Sequence, residues 1–107
     1  ISTIKASMKL FEGEHDFSLF KKSGGASGTD IRTIYKARLY RYRNKTILYF
    51  EANGFLRSQI RLMVAFLLKI SEEKLSDEQL LEQLKGLKSY NTKLAPPNGL
   101  YLSNIIY

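Results

Sequence analysis

From Ile31 to Arg43 the chain alternates with a period of two, the pattern of a long β-strand. Ile31, Thr33, Tyr35, Ala37 and Leu39 fall on one side and are expected to face a core. Arg32, Ile34, Lys36, Arg38, Tyr40 and Tyr42 fall on the other, interleaving cations with aromatics. Arg43-Asn44-Lys45 supplies a turn, and Thr46 to Ala52 is a second strand rich in aliphatic and aromatic residues. The middle of the chain is therefore an antiparallel hairpin, and a sheet with one apolar face needs a second layer to cover it.

The flanking segments supply helices for that layer. Asn53-Gly54 breaks the second strand, and Phe55 to Ile70 carries the strongest helical pattern, with Leu56, Ile60, Met63 and Leu67 as its core stripe. A second helix runs from Ser76 to about Lys85, opened by the capping box Ser76-Asp77-Glu78-Gln79 and stopped at Gly86. Before the hairpin, Ile4, Met8 and Phe11 recur at helical spacing with Gly13 as a stop, and Phe17, Leu19 and Phe20 form a second apolar cluster. The stretch from Lys21 to Thr29 reads as a mobile loop, because its glycines lack the Gly-Lys-Ser/Thr sequence of a phosphate-binding loop. Residues 87–98 are loop-like, Pro96-Pro97 stiffens the approach, and Leu100 to Tyr107 is a last strand. The expected fold is a single α+β domain over 1–107, a mostly antiparallel sheet with helices packed on one face. The long helical connection would allow the last strand to pair with a non-adjacent neighbour.

Charge is concentrated in the same region. The net charge is +7, and residues 21–70 hold eleven Lys or Arg against Asp30 and Glu51, while both flanks are slightly acidic. Such a basic block suits a polyanion partner or a solubilising surface. With no cysteine, disulfides, thiolate metal sites and cysteine nucleophiles are excluded. One histidine and scattered carboxylates offer no metal-ligand spacing. The chain starts at Ile1 rather than Met, which reads as an internal or processed start, and no leader peptide is visible. Its longest apolar stretch, Leu62 to Leu68, is far short of the ~20 residues that cross a bilayer.

Several residues are candidates for chemistry. Arg57 and Arg61, four apart, would share a helix face near the helix start, where the dipole disfavours cations. They either reach solvent or point at an anion. Arg32, Lys36 and Arg38 would form a basic sheet face, and aromatic interleaving suits RNA, whose unpaired bases stack on rings. His15-Asp16 is better read as structural than catalytic, with Asp16 capping a short helix near Phe17.

Three ordered stretches resemble the tRNA pseudouridine synthase A family. Gly13-Glu14-His15-Asp16-Phe17-Ser18-Leu19-Phe20 is similar to that family's Gly-x-His-Asp-Phe-x-x-Phe. Arg32-Thr33-Ile34, Asn53-Gly54-Phe55-Leu56 and Ile60-Arg61 are similar to its Arg-Thr-Ile/Val and Asn-x-Phe-Leu-x-x-x-Val-Arg patterns. Ala95-Pro96-Pro97-Asn98-Gly99-Leu100-Tyr101-Leu102 is similar to its near-terminal Ala-Pro-x-x-Gly-Leu-Tyr-Leu. The chain departs from the pattern at Arg57-Ser58-Gln59, where the family often has histidines, at Leu62, where Asn is common, and at Thr29-Asp30, where Ser/Thr-Pro is frequent.

The resemblance implies the C-terminal half of an enzyme that isomerises uridine to pseudouridine in the anticodon stem-loop of tRNA, without metal or cofactor. The family's nucleophile is an aspartate in an Arg-x-Asp-x-Gly-Val-His segment, which this chain lacks. The implied partners are tRNA, an N-terminal half carrying that aspartate, and a second copy in a homodimer, with no membrane and a cytoplasmic location. Arg61 matches the arginine that pairs with the aspartate, and Leu102 or Leu100 the aliphatic residue that packs on the target base. Arg57, Arg32, Lys36, Arg38, Lys21 and Lys22 would hold the RNA backbone, an assignment that rests on charge. The alternatives are a non-catalytic RNA-binding module, and an interaction domain in which Leu62 and Phe66 face a protein partner.

Overall fold

The computed structural model describes residues 2–22, 29–95 and 101–105, and the backbone alone for Ser2 and 101–105. The chain runs α1 (Ser2–Met8), a 3-10 turn (Lys9–Phe11), β1 (Gly13–Asp16), a second 3-10 turn (Ser18–Phe20) and β2 (Ile31–Tyr42). It continues through β3 (Lys45–Ala52), α2 (Gln59–Ser71), α3 (Asp77–Leu84) and β4 (Tyr101–Ile105). The four strands lie in the order β1-β2-β3-β4. β1–β2 and β2–β3 are antiparallel, and β4 returns parallel to β3 across the helical connection. The α+β architecture expected from the sequence is present. β4 pairs with its predecessor in the chain, so no strand is skipped.

The hairpin turn is the two-residue kind that matches strand twist. Arg43 and Asn44 have φ of 49° and 65° and sit between the paired residues Tyr42 and Lys45. α3 starts at the expected capping box: Ser76 Oγ accepts from the Gln79 backbone N–H, and Gln79 Oε1 accepts from the Ser76 N–H. It ends where Gly86 takes a φ of 75°.

One core joins the sheet to the helices. Ile34, Ala37, Leu48, Phe50 and Ala52 face Phe11, Phe20, Met63, Phe66, Leu67, Leu80 and Leu84, all buried. Phe20 is the hinge of the aromatic packing, with ring centroids 5.6 Å from Phe11, 6.1 Å from Phe17 and 6.0 Å from Phe66. Every residue from Leu62 to Leu67 is buried. α2 is therefore enclosed over most of its circumference, and the narrow stripe expected from its periodicity is wider in fact. Leu62 and Phe66 belong to this core, which removes the reading in which they face a protein partner.

Three further expectations are corrected. The helical turns end at Phe11, just before Gly13 as expected. Gly13, with φ of 105°, then opens an unforeseen strand, β1, which is short and polar, has no apolar alternation to announce it and is made by pairing with the β2 edge. α2 begins at Gln59 rather than Phe55, because Ser58 is left-handed with φ of 62° and a helix cannot run through it. Gln59 instead bonds back, its Oε1 accepting from the Leu56 N–H at 2.8 Å.

The third correction concerns the faces of β2. Ile34 pairs with Ala52 but Lys36 pairs with Glu51, so Tyr35 is an extra residue in a β-bulge. The bulge reverses the phase of alternation. Ile34 before it and Ala37 after it are both buried, while Ile31 and Tyr35 are exposed. Arg32 therefore shares the core side with Ile34, whereas Lys36, Arg38, Tyr40 and Tyr42 lie on the open side. Arg32 and Arg38 do not make one basic face.

Candidate functional site

Arg61 is half-buried in the first turn of α2 and is held from both ends. Its Nε donates to the Ala95 carbonyl at 2.9 Å, and the Ala95 N–H donates back to the Arg61 carbonyl at 3.2 Å. Ala95 is buried, so this bracket is sheltered from water. Among the described residues the two Nη groups of Arg61 make no hydrogen bond.

Ala95 is fixed by the segment before it. Gln83, fully buried on α3, accepts at Oε1 from the N–H groups of Tyr90 (2.7 Å) and Asn91 (3.2 Å). Its Nε2 donates to the carbonyls of Leu19 (3.0 Å) and Asn91 (3.3 Å). Asn91 in turn donates through Nδ2 to the Lys93 carbonyl. Neither Gln83 nor Gln59 stands out as chemistry in the sequence. The available signal is that each falls on an apolar helical stripe, Gln83 three residues after Leu80 and Gln59 four before Met63.

The same segment gathers two of the expected basic residues. Lys22 Nζ donates to the Thr92 carbonyl at 2.8 Å, and the Lys22 N–H donates to the Arg57 carbonyl at 3.1 Å. Arg57 is exposed in the turn before α2, so it does not share a helix face with Arg61. Lys21 is tied to Asp30 at 2.9 Å. Arg32 lies over Gly54 and donates through Nη1 to the carbonyls of Thr29 and Ile31.

On the open side of the sheet, the expected cations have acidic neighbours. Lys36 Nζ is 3.8 Å from Glu51, and Arg38 Nη1 is 2.6 Å from Glu12. Glu12 also accepts from the Ala37 N–H. Burial pushes the Glu12 carboxyl up, but the bonds from Ala37 and Arg38 and the charges of Lys9 and Arg38 outweigh it and hold the group below the usual glutamate value. Glu12 had no sequence signal, because its partners lie on a strand remote in sequence.

His15 and Asp16 make local contacts, and the expected Asp16 cap is not formed, since Phe17 is the N-cap of the second 3-10 turn and carries no side-chain cap bond. The His15 ring donates from Nε2 to the Glu12 carbonyl and stands edge-on to Phe17, and Asp16 Oδ1 accepts from the Ser18 N–H. Leu102 lies on β4 opposite Tyr49 of β3. Leu100 and the glycine-rich stretch at 23–28 lie outside the described residues, as do Pro96 and Pro97. A groove of about 240 Å³ runs between the end of α2 and residues 91–95, lined by Leu68, Leu94 and Ala95 with Lys69, Glu72 and Lys93, and does not include Arg61. No helix among the described residues is long and apolar enough to cross a membrane.

These features define a helix-backed, open-faced α+β domain that offers one fixed guanidinium at a helix start beside an adjoining strand connection. A family model described as tRNA pseudouridine synthase matches residues 7–107. A tRNA pseudouridine synthase A of Campylobacter jejuni is 54% identical over 98 residues, covering 92% of this chain and 41% of the relative. One from Wolinella succinogenes is 47% identical over 104 residues (97% and 41%), and one from Ligilactobacillus salivarius 39% identical over 111 residues (100% and 43%). The chain belongs to the tRNA pseudouridine synthase family. It spans about two-fifths of the length of these curated relatives.

Proposed function

We propose that this chain is the C-terminal half of an enzyme that converts uridine to pseudouridine in the anticodon stem-loop of tRNA. The carrying observation is the Arg61 guanidinium, anchored through Nε to Ala95 with its Nη edge unused among the described residues. A carboxylate nucleophile in a partly desolvated pocket must stay ionised, and a fixed guanidinium beside it favours the charged form. In this reading the carboxylate comes from the N-terminal half, so the chain alone is inactive. Uridine and pseudouridine are isomers, so the conversion requires no net donor of atoms or electrons, and no cofactor is invoked.

Leu102 or Leu100 supplies the aliphatic contact to the target base, where an apolar contact suits an unstacked uracil. Arg57, Arg32, Lys36, Arg38, Lys21 and Lys22 hold the tRNA backbone, with Arg32, Lys36, Arg38, Lys21 and Lys22 exchanging their present carbonyl and carboxylate partners for phosphates. The parent protein acts as a cytoplasmic homodimer.

The test is tritium release from uridine-labelled tRNA by the full-length parent. Arg61→Ala should nearly abolish turnover while tRNA binding survives. Arg61→Lys keeps a charge and a donor for Ala95 but loses the fork, and should recover only a small part of the activity. Normal turnover by Arg61→Ala removes this residue from the site.

A further inference from the structure

The tip of the β2–β3 hairpin is the most exposed cationic and aromatic surface the sheet presents, and none of the contacts assigned above uses it. Leu39 is the last β2 residue packed against the core; every residue from Tyr40 to Lys45 is exposed. Three further residues of strand carry Tyr42 roughly 10 Å beyond Leu39. The segment holds Arg41, Arg43 and Lys45 and no acid. None of these three cations has a carboxylate partner among the described residues, in contrast to Lys36 and Arg38 nearer the base.

Its aromatic rings are placed for stacking. Tyr40 is 52% and Tyr42 59% exposed, both on the open side of the sheet by register. The Tyr40 ring lies 6.4 Å from that of Tyr49, its diagonal neighbour on β3, and the Arg43 guanidinium sits 5.2 Å over the Tyr42 ring. The left-handed Arg43-Asn44 turn gives the tip a defined conformation. A solvated surface does not call for two half-exposed tyrosines flanked by unneutralised cations.

We infer that this hairpin tip is an RNA-binding finger: Arg41, Arg43 and Lys45 neutralise backbone phosphates, and Tyr40 and Tyr42 stack on unpaired bases. The inference rests on the tRNA-modifying reading above and adds a contact outside the Arg61 site. Charge favours RNA over a protein partner, because a polyphosphate backbone supplies closely spaced anions for all three cations whereas a mixed protein surface does not.

The test uses the full-length parent and an unmodified tRNA transcript, with Kd measured against salt concentration. Arg41→Ala/Arg43→Ala/Lys45→Ala should weaken binding by tenfold or more at ~0.1 M salt. The slope of log Kd against log salt should fall by roughly 2, at about 0.7 per lost single-strand phosphate contact. Arg41→Lys/Arg43→Lys, which keeps the charge, should retain the slope. Tyr40→Ala/Tyr42→Ala should weaken binding about tenfold with the slope unchanged, and Tyr40→Phe/Tyr42→Phe should bind as the parent does. All substituted side chains are exposed, and a thermal melt checks that folding is preserved. If the parent binds tRNA and the triple alanine variant binds it equally well with the same slope, the finger is refuted and the tip is left to a protein partner. If the parent itself neither binds tRNA nor forms pseudouridine, the tRNA-modifying reading fails and the finger with it.

Discussion

Glu12 replaces a missing strand neighbour, and its removal has a calculable effect. β1 pairs with β2 only from Ile31 to Ile34, so among the described residues the β2 edge past the bulge has no strand beside it. Glu12 Oε2 fills that place, accepting from the Ala37 N–H at 2.9 Å and from Arg38 Nη1 at 2.6 Å. Ala37 is buried, so leaving its N–H without a partner costs about 1–3 kcal/mol. The part-exposed ion pair adds at most about 1 kcal/mol. Glu12→Ala should therefore destabilise the fold by about 1–4 kcal/mol, lowering the thermal midpoint by roughly 4 °C for each kcal/mol in a domain of this size. Glu12→Gln keeps an acceptor for Ala37 but not the charge, and should cost only about 1 kcal/mol.

The sign of the pH dependence follows from the depressed Glu12 carboxyl, whose ordinary value is 4.5. A group with a lower pKa folded than unfolded contributes fully above its unfolded pKa, and that contribution disappears as pH falls through the folded one. Urea denaturation followed by circular dichroism should show the wild-type advantage over Glu12→Gln intact at neutral pH and shrinking below pH 4.5. An advantage equally large at about pH 3, or an alanine variant as stable as wild type, would refute the assignment of the charge to this bond.

Two further substitutions test the scaffold. Gln83→Leu removes both acceptor and donor from a fully buried hub, leaving the N–H groups of Tyr90 and Asn91 unpartnered. It should lower stability by about 2–4 kcal/mol in urea denaturation, and it should also loosen the Ala95 bracket on Arg61, read as faster proteolysis between Tyr90 and Ala95. Asn44→Gly should leave the thermal midpoint unchanged or raise it by a few degrees, whereas Asn44→Val, β-branched at a φ of 65°, should lower stability by about 1–2 kcal/mol.

Local chemistry alone determined the hairpin, the capped α3 and the ordered motifs that marked the family. Each depends on neighbours within a few positions: the Arg43-Asn44 turn, the Ser76–Gln79 box, the apolar period of α2. What needed the folded chain depends on distant partners. A one-residue bulge at Tyr35 moved Arg32 to the side of the sheet opposite Arg38, because strand phase is set by pairing with β3 and not by alternation within β2. β1 exists only because the β2 edge was there to pair with it, and Ser58 delayed α2 so that Arg57 left the helix. Arg61 could be singled out by its motif, but its orientation comes from the carbonyl of Ala95, which follows a segment held at Tyr90 and Asn91 by Gln83 from another helix. Side-chain identity sets which groups are available, whereas long-range hydrogen bonds and burial set where they point, since the cost of an unpaired polar group is paid only once a fold has excluded water.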